Sequence, residues 1–365
     1  MMQVQPQAQT VTDVETRETT TKARSRRRVV LRVVVVAALV LFVVVNRAEL
    51  PVAWHALRTA SIGWLAGALV ASLLWLVNFA ALQDRTQRLL GVHRPFRRTL
   101  RLTAGGHFLN MITKSGGMAG VAPFNADARA TGQSAHRSTA GYLVSELVNH
   151  LGFTLTLLVA VPVIVRDGRL SVADVIAIVV FAVLTATFLA GVIAASRSKE
   201  SIRALHALPN QVANWVRRRT GRAVRPVSTD HHGADDLHEA VVVARRHRRG
   251  MVPVAVHAIA HQLIGFALLW TVLHSMGVAN GTALALVTYA IGTLFSIVGV
   301  LPGGLGFTEL SMTATLVSYG VSAGQAAAVV GVYRLFQLWI PLALGAMAMH
   351  SWGSIPALVS GPPSS

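Results

Sequence analysis

The chain has 365 residues, 53% hydrophobic and only 13% charged, with a mean hydropathy of +0.54. Soluble domains carry about 25% charged residues, so an ordinary soluble domain is excluded and an integral membrane protein is indicated. Cysteine is absent, which rules out a disulfide framework and a thiolate metal site. The formal net charge of +18 would point to nucleic acid in a soluble protein. Here no basic platform is interleaved with aromatic residues, so no nucleic-acid partner is expected.

Residues 1–28 are polar and basic, with Arg24, Arg26, Arg27 and Arg28 just before the first apolar run. No small-residue cleavage site follows, so 1–28 is read as a disordered cytoplasmic tail and 29–45 as a retained anchor. Runs 61–82, 143–165, 172–195, 252–275, 282–300 and 325–349 are long enough, or nearly so, to cross a ~30 Å hydrocarbon core at 1.5 Å per residue. Residues 83–101 are basic and are expected to run along the inner surface as an amphipathic helix. Basic residues gather again between 196 and 250, whereas 274–281 and 320–324 contain no Asp, Glu, Lys or Arg. That asymmetry places the basic segments in the cytoplasm and makes the protein a multi-pass chain of the plasma membrane with its N-terminus inside. The loop Arg166-Asp167-Gly168-Arg169 breaks the rule mildly, because it falls on the outer side.

Two apolar regions are interrupted by glycine. The first interruption is Ser115-Gly116-Gly117-Met118-Ala119-Gly120, inside 102–130; the second is Pro302-Gly303-Gly304-Leu305-Gly306, followed by Phe307, Thr308 and Glu309. Consecutive glycines, and proline beside them, disfavour a helix interior. Lipid tolerates broken backbone only where protein or a wet cavity covers the freed groups. Residues 102–130 therefore read as a hairpin of half-helices entering from the cytoplasm, and 282–300 with 307–319 as a second hairpin entering from outside. The rival topology takes 282–300 as a full crossing. Broken segments at matching places in two halves point to an inverted-repeat transporter. The expected fold is an all-α polytopic membrane protein with about 6–8 transmembrane helices, two broken re-entrant hairpins and inverted repeats. Residues 29–350 form the membrane domain, 196–250 the basic cytoplasmic loop between its halves, and 351–365 a short tail.

The pattern Asn110-Met-Ile-Thr-Lys-Ser-Gly-Gly-Met-Ala-Gly120, with Asp127 and Gly132, resembles the first motif of the flippase-like membrane domain of lysylphosphatidylglycerol synthases. Leu301-Pro-Gly-Gly-Leu-Gly-Phe-Thr-Glu309, then Gly320, Tyr333-Arg334, Trp339, Pro341 and Gly345, resembles its second motif more closely. The resemblance spans residues 50–350. Full-length members carry a soluble aminoacyl-transferase domain that makes the lipid; none follows within these 365 residues. The resemblance thus implies a stand-alone lipid translocase-like protein rather than a synthase, acting on a phospholipid or another anionic amphiphile. A homodimer is compatible with it.

The candidate substrate-binding residues are Ser115, Gly116, Gly117, Gly120, Glu146, Pro302, Gly303, Gly304, Gly306, Glu309 and Arg334. Glu309 and Arg334 fall deep in apolar sequence, where a charge needs a cavity or a partner. They read either as a pair locking two helices or as a phosphate clamp with a partner for a basic headgroup or a proton. Arginine suits phosphate because its planar fork can make two charge-assisted bonds. Glu146, Asn149 and His150 share one polar stripe, and Lys114 is placed to pair with either Glu146 or Asp127. His257 and His261 are one turn apart, but residue 258 is alanine, so the zinc-protease signature is missing and interior hydrogen bonding is expected. No Gly-x-x-x-x-Gly-Lys-Ser/Thr stretch is present, so neither nucleotide nor other cofactor is expected. A membrane enzyme acting on lipid-linked substrates, or a non-catalytic lipid-binding scaffold, are the alternatives; few membrane carboxylates are close enough to favour the enzyme.

Overall fold

A computed structural model describes residues 58, 60–113, 118–197, 248–278, 281–299 and 301–351 (the side chains at 188, 191–197, 248, 302 and 351 excepted). The anchor 29–45, most of the basic loop 196–250, and Lys114 through Gly117 lie outside them. The described chain is helical, without a strand among the described residues. Five helices are long and apolar enough to cross a membrane: an all-α polytopic membrane protein.

The elements fall into two matching sets. Helix α1 (Ile62–Leu89) has 28 residues and α2 (Phe96–Thr113) has 18; a short 3-10 turn (Met118–Gly120), α3 (Val121–Ala130) and the long α4 (Ala135–Arg166) follow. After α5 (Val172–Arg197) the series repeats. Helix α6 (Arg248–Ser275) has 28 residues and α7 (Gly281–Val298) has 18; then come a second 3-10 turn (Pro302–Gly304), α8 (Phe307–Ser318) and α9 (Ala323–Arg334). A π-turn (Leu335–Trp339) joins α9 to α10 (Ile340–Ser351), completing the counterpart of α4. A nearly constant shift along the chain carries each start onto its partner.

The two sets are inverted. Helices α1 and α6 form the most extensive helix pair and run antiparallel: Ser61 N donates to Ser275 O at 3.0 Å at one end, and Asn78 Nδ2 donates to His257 O at 2.8 Å further along. Equivalent helices that pack antiparallel are related by a two-fold axis in the membrane plane. Trp75 and His261, which the shift superposes, lie against each other with ring centroids 4.4 Å apart. Both helices stop the same way. Gly91 (φ 76°) and Gly277 (φ 70°) take left-handed backbone, and the next residue folds back: Val92 N to Gln87 O and Val278 N to Leu273 O, each 2.9 Å. This is the six-to-one closure that glycine permits.

Each broken hairpin starts and ends on one face. α3 ends beside the start of α2, where His93 N donates to Gln133 Oε1 at 3.0 Å; this face also carries Arg85, Arg88, Arg97, Arg98, Arg101 and Arg129. We call it the basic face. The second hairpin opens after α6 and closes into α9 on the opposite face, where Gln325 Nε2 donates to Met276 O at 3.0 Å. With 12 residues, α8 is about 18 Å long, too short to cross a ~30 Å core. So α8 is the short arm of a hairpin with α7, the helix it packs against most, while α7 itself is long and apolar enough to cross. Residues 83–101 differ from the expected surface helix. α1 continues to Leu89, and the chain turns at 90–95 straight into α2, because Gln83, Thr86 and Gln87 face inward and are buried. Large apolar residues of α5, such as Val175, Val179 and Val183, stay exposed, as lipid-facing positions do.

Candidate functional site

The second break is built by glycines that only left-handed backbone explains. Gly303, Gly304 and Gly306 have φ of 64°, 67° and 76°, a region costly for residues with a Cβ. At Gly304 space is also exhausted, since a Cβ would sit 2.6 Å from both Ser296 Cα and Thr308 Oγ1. Pro302 opens the turn, and α8 begins at Phe307 with Glu309 in its first turn.

Arg334 reaches this turn from the last residue of α9 and is 1% exposed. Its Nη2 donates to Gly303 O at 2.9 Å and its Nη1 to Gln337 Oε1 at 3.0 Å. Its Nε faces Glu309 Oε1 as an ion pair. Both Glu309 oxygens are shut off from solvent, and among the described residues Arg334 is the cation beside them. Thr308 Oγ1, next in the chain, is also buried, without a hydrogen-bond partner among the described residues. Arg334 therefore engages Glu309 through its Nε while its other nitrogens hold broken backbone and Gln337. The structure thus brings Pro302, Gly303, Gly304, Gly306, Glu309 and Arg334 into one cluster. Gln337, one turn from Arg334, is the residue that the motif reading passed over; its i, i+3 spacing was the available signal.

The π-turn directly after Arg334 belongs to the same construction. A widened turn leaves a carbonyl out of the helical ladder; Ser72 Oγ on α1 donates to Phe336 O at 2.6 Å. Pro341, without an N–H, adds a missing donor just beyond.

The described end of the first break is held by amide and hydroxyl groups. Gly120 N donates to Asn110 Oδ1 at 2.6 Å, and Asn110 Nδ2 donates to Tyr142 Oη at 2.9 Å. Glu146, one turn on, hydrogen-bonds Tyr142 through its side chain. Glu146 therefore belongs to the first break, apart from Arg334. Ser115, Gly116 and Gly117 fall outside the described residues. The breaks approach each other: a Cβ on Gly303 would lie 3.4 Å from Met111 Sδ, and Phe108, Leu305, Leu338 and Leu342 form one apolar cluster.

Asp127 is engaged on the basic face; Lys114, its expected partner, lies outside the described residues. Asp127 is 2% exposed and bridges two arginines: Arg94 Nε at 2.5 Å, and Arg98. Arg94 also donates to Gln87 Oε1 (3.1 Å), Phe124 O (3.0 Å) and Ser138 Oγ (3.0 Å). Burial pulls the Arg94 guanidinium below its ordinary value, and Asp127 works against that shift. This network ties the far end of α3 to the basic face. His257 Nδ1 lies 2.8 Å from Asn78 Oδ1, an interior hydrogen bond. His150 Nε2 lies 2.8 Å from Thr185 Oγ1.

The family description "Lysylphosphatidylglycerol synthase TM region" matches residues 29–345. A stretch of 79 residues is 32% identical to a "UPF0104 membrane protein" of Methanothermobacter thermautotrophicus; it makes up 22% of this chain and 24% of that protein. The chain thus spans about a quarter of the length of that curated relative. Both broken hairpins, and the arginine that seals the second, lie within the family match. The chain belongs to the family of the lysylphosphatidylglycerol synthase transmembrane region.

Proposed function

We propose that the protein is a lipid translocase, a carrier rather than an enzyme, moving a phospholipid or lipid-linked headgroup between leaflets past the second glycine break. The observation that carries this reading is a buried guanidinium, Arg334, which binds the Gly303 carbonyl and pairs with the buried Glu309 carboxylate beside the break. A charge held at membrane depth costs about 2.5–3.5 kcal/mol on insertion scales, more than helix packing alone requires. A lipid phosphate would take the place of Glu309 on the arginine fork, and Glu309, released, would receive a proton or a basic headgroup. Inverted hairpins entering from opposite faces give each leaflet its own broken element, as alternating access needs. The basic face is the cytoplasmic one, and the membrane is the plasma membrane. Facilitated movement down a lipid gradient is sufficient; a headgroup charge gains about 2.3 kcal/mol per 100 mV of membrane potential.

A leaflet-resolved lipid assay in proteoliposomes tests this. Glu309→Gln and Arg334→Lys each keep the side-chain length close to the original. Each is expected to slow translocation about tenfold, equivalent to roughly 1.4 kcal/mol at the barrier, with membrane insertion unchanged. Parental rates in both variants would sink the assignment of the site. Altered lipid composition would identify an enzyme, and unchanged sidedness with parental protein a scaffold.

A further inference from the structure

Two arginines sit on the face opposite the basic one, in the loop Arg166-Asp167-Gly168-Arg169, against the charge asymmetry of the rest of the chain. The structure gives Arg169 a place. Its guanidinium stands over the Tyr319 ring, 4.4 Å from the centroid, and Tyr319 Oη donates to Asp167 Oδ2 at 2.8 Å. This platform joins the end of α4 to the end of α8, one from each half. The nearby carboxylates are already engaged: Asp167 by Tyr319, and Asp174 by Ser171 N and Oγ at 3.0 and 2.6 Å. Among the described residues Arg169 forms no ion pair, and it remains exposed.

Beneath the platform lies a groove of about 300 Å³, at the lower end of the range of small-molecule pockets. It follows one face of α8 along the whole helix, through Phe307, Leu310, Ser311, Ala314, Thr315 and Ser318, with walls from α4, α5 and α7. It therefore runs from the glycine break to the opposite face. Leu310 is 72% exposed at its side, so it opens laterally toward hydrocarbon.

We propose that this groove seats one acyl chain of an anionic glycerophospholipid whose phosphate rests on Arg169, forming the opposite-face station of the path through the second break. The proposal rests on the translocase reading and names where its cargo waits. A sterol or a detergent lacking phosphate would leave the guanidinium unused, and free phosphate would leave an apolar trench unfilled. A phospholipid satisfies both ends at once. The arginine fork matches phosphate oxygens in pairs. Tyrosine keeps its proton at neutral pH even at its ordinary value, and burial, followed by the bond to Asp167, pushes the Tyr319 hydroxyl higher still, up to about 12.

The test uses the full chain in nanodiscs of phosphatidylglycerol and phosphatidylcholine, with spin-labelled versions of each lipid and the immobilised fraction as readout. Both lipids carry the phosphate, but the trimethylammonium of phosphatidylcholine offsets its charge and is repelled by Arg169. The parental protein is therefore expected to hold phosphatidylglycerol about tenfold better, the size of effect that a charged hydrogen bond gives. Arg169→Gln, at an exposed position safe for folding, should erase that preference. Ala314→Phe, which fills the trench, should release both lipids. An unchanged preference in Arg169→Gln, or unchanged retention in Ala314→Phe, overturns the proposal and reduces the groove to ordinary bilayer contact. Displacement of phosphatidylglycerol by inorganic phosphate alone overturns the acyl-chain half of it. Binding is read without movement across the bilayer. Selective binding without translocation removes the translocase reading and keeps the groove; translocation without selectivity does the reverse.

Discussion

Gly120 and Gly306 hold corresponding places at the two breaks, yet each is glycine for a different reason. Gly120 has ordinary right-handed backbone (φ −65°), and its missing Cβ leaves room for Asn110 and Tyr142; an added carbon would sit 2.6 Å from Asn110 Nδ2. Gly306 has φ 76° and open space where its Cβ would be. At Gly120 the first break is shaped by close packing of Asn110 and Tyr142, whereas the second is shaped by backbone that side chains disfavour and is sealed with a buried charge. The outer ends differ too. The first hairpin is locked to the basic face by Asp127 between two arginines, whereas the second is tethered by an exposed Tyr319–Asp167 bond with a groove alongside. The outer end of one hairpin is thus fixed by a buried charge network and that of the other by an exposed neutral-to-carboxylate bond.

Removing the lock should show the largest effect. Asp127→Ala leaves Arg94 buried without its carboxylate and is expected to destabilise the protein by about 3–5 kcal/mol, read as loss of thermal stability in detergent. If stability is unchanged, the first hairpin is not held as described. The glycines come next. Gly120→Ala should cost about 1–3 kcal/mol through overpacking and be partly rescued by Tyr142→Phe, which removes the colliding hydroxyl. Gly306→Ala should cost about 1–2 kcal/mol from backbone alone, and no neighbour's truncation should rescue it. Equal response to Tyr142→Phe would erase the distinction between the breaks. The smallest effect is expected for Ser72→Ala, about 1 kcal/mol, because only the bond to Phe336 O is lost; no counterpart bond exists to a widened turn in α4, which stays α-helical over 32 residues.

Much of this was legible in the sequence, because the signals were local. Apolar runs gave the crossings, and Pro302 with Gly303, Gly304 and Gly306 announced the second break; Glu309 and Arg334 stood out as charges at depth. The inverted entry of the hairpins followed from where basic residues flank them. What escaped depended on partners far apart in the chain. Nothing in the sequence says that Arg94, counted among surface charges, turns inward to Asp127, or that Asn110 braces Gly120 against Tyr142. The run 83–101 misled for a related reason: its arginines suggested a surface helix, while Gln83, Thr86 and Gln87 between them face the core. Charge counting sees sign but not direction.

The five-residue π-turn at Leu335–Trp339 gives the helix that carries Arg334 one surplus residue of winding. Taking up that slack would rotate Arg334 by about 100° about the helix axis, one residue's share of an α-turn, and swing its fork off the Gly303 carbonyl. Ser72, holding the spare carbonyl of Phe336, is the catch on that rotation. Rewinding a single helix would thus part Arg334 from the Gly303 carbonyl with both hairpins standing still.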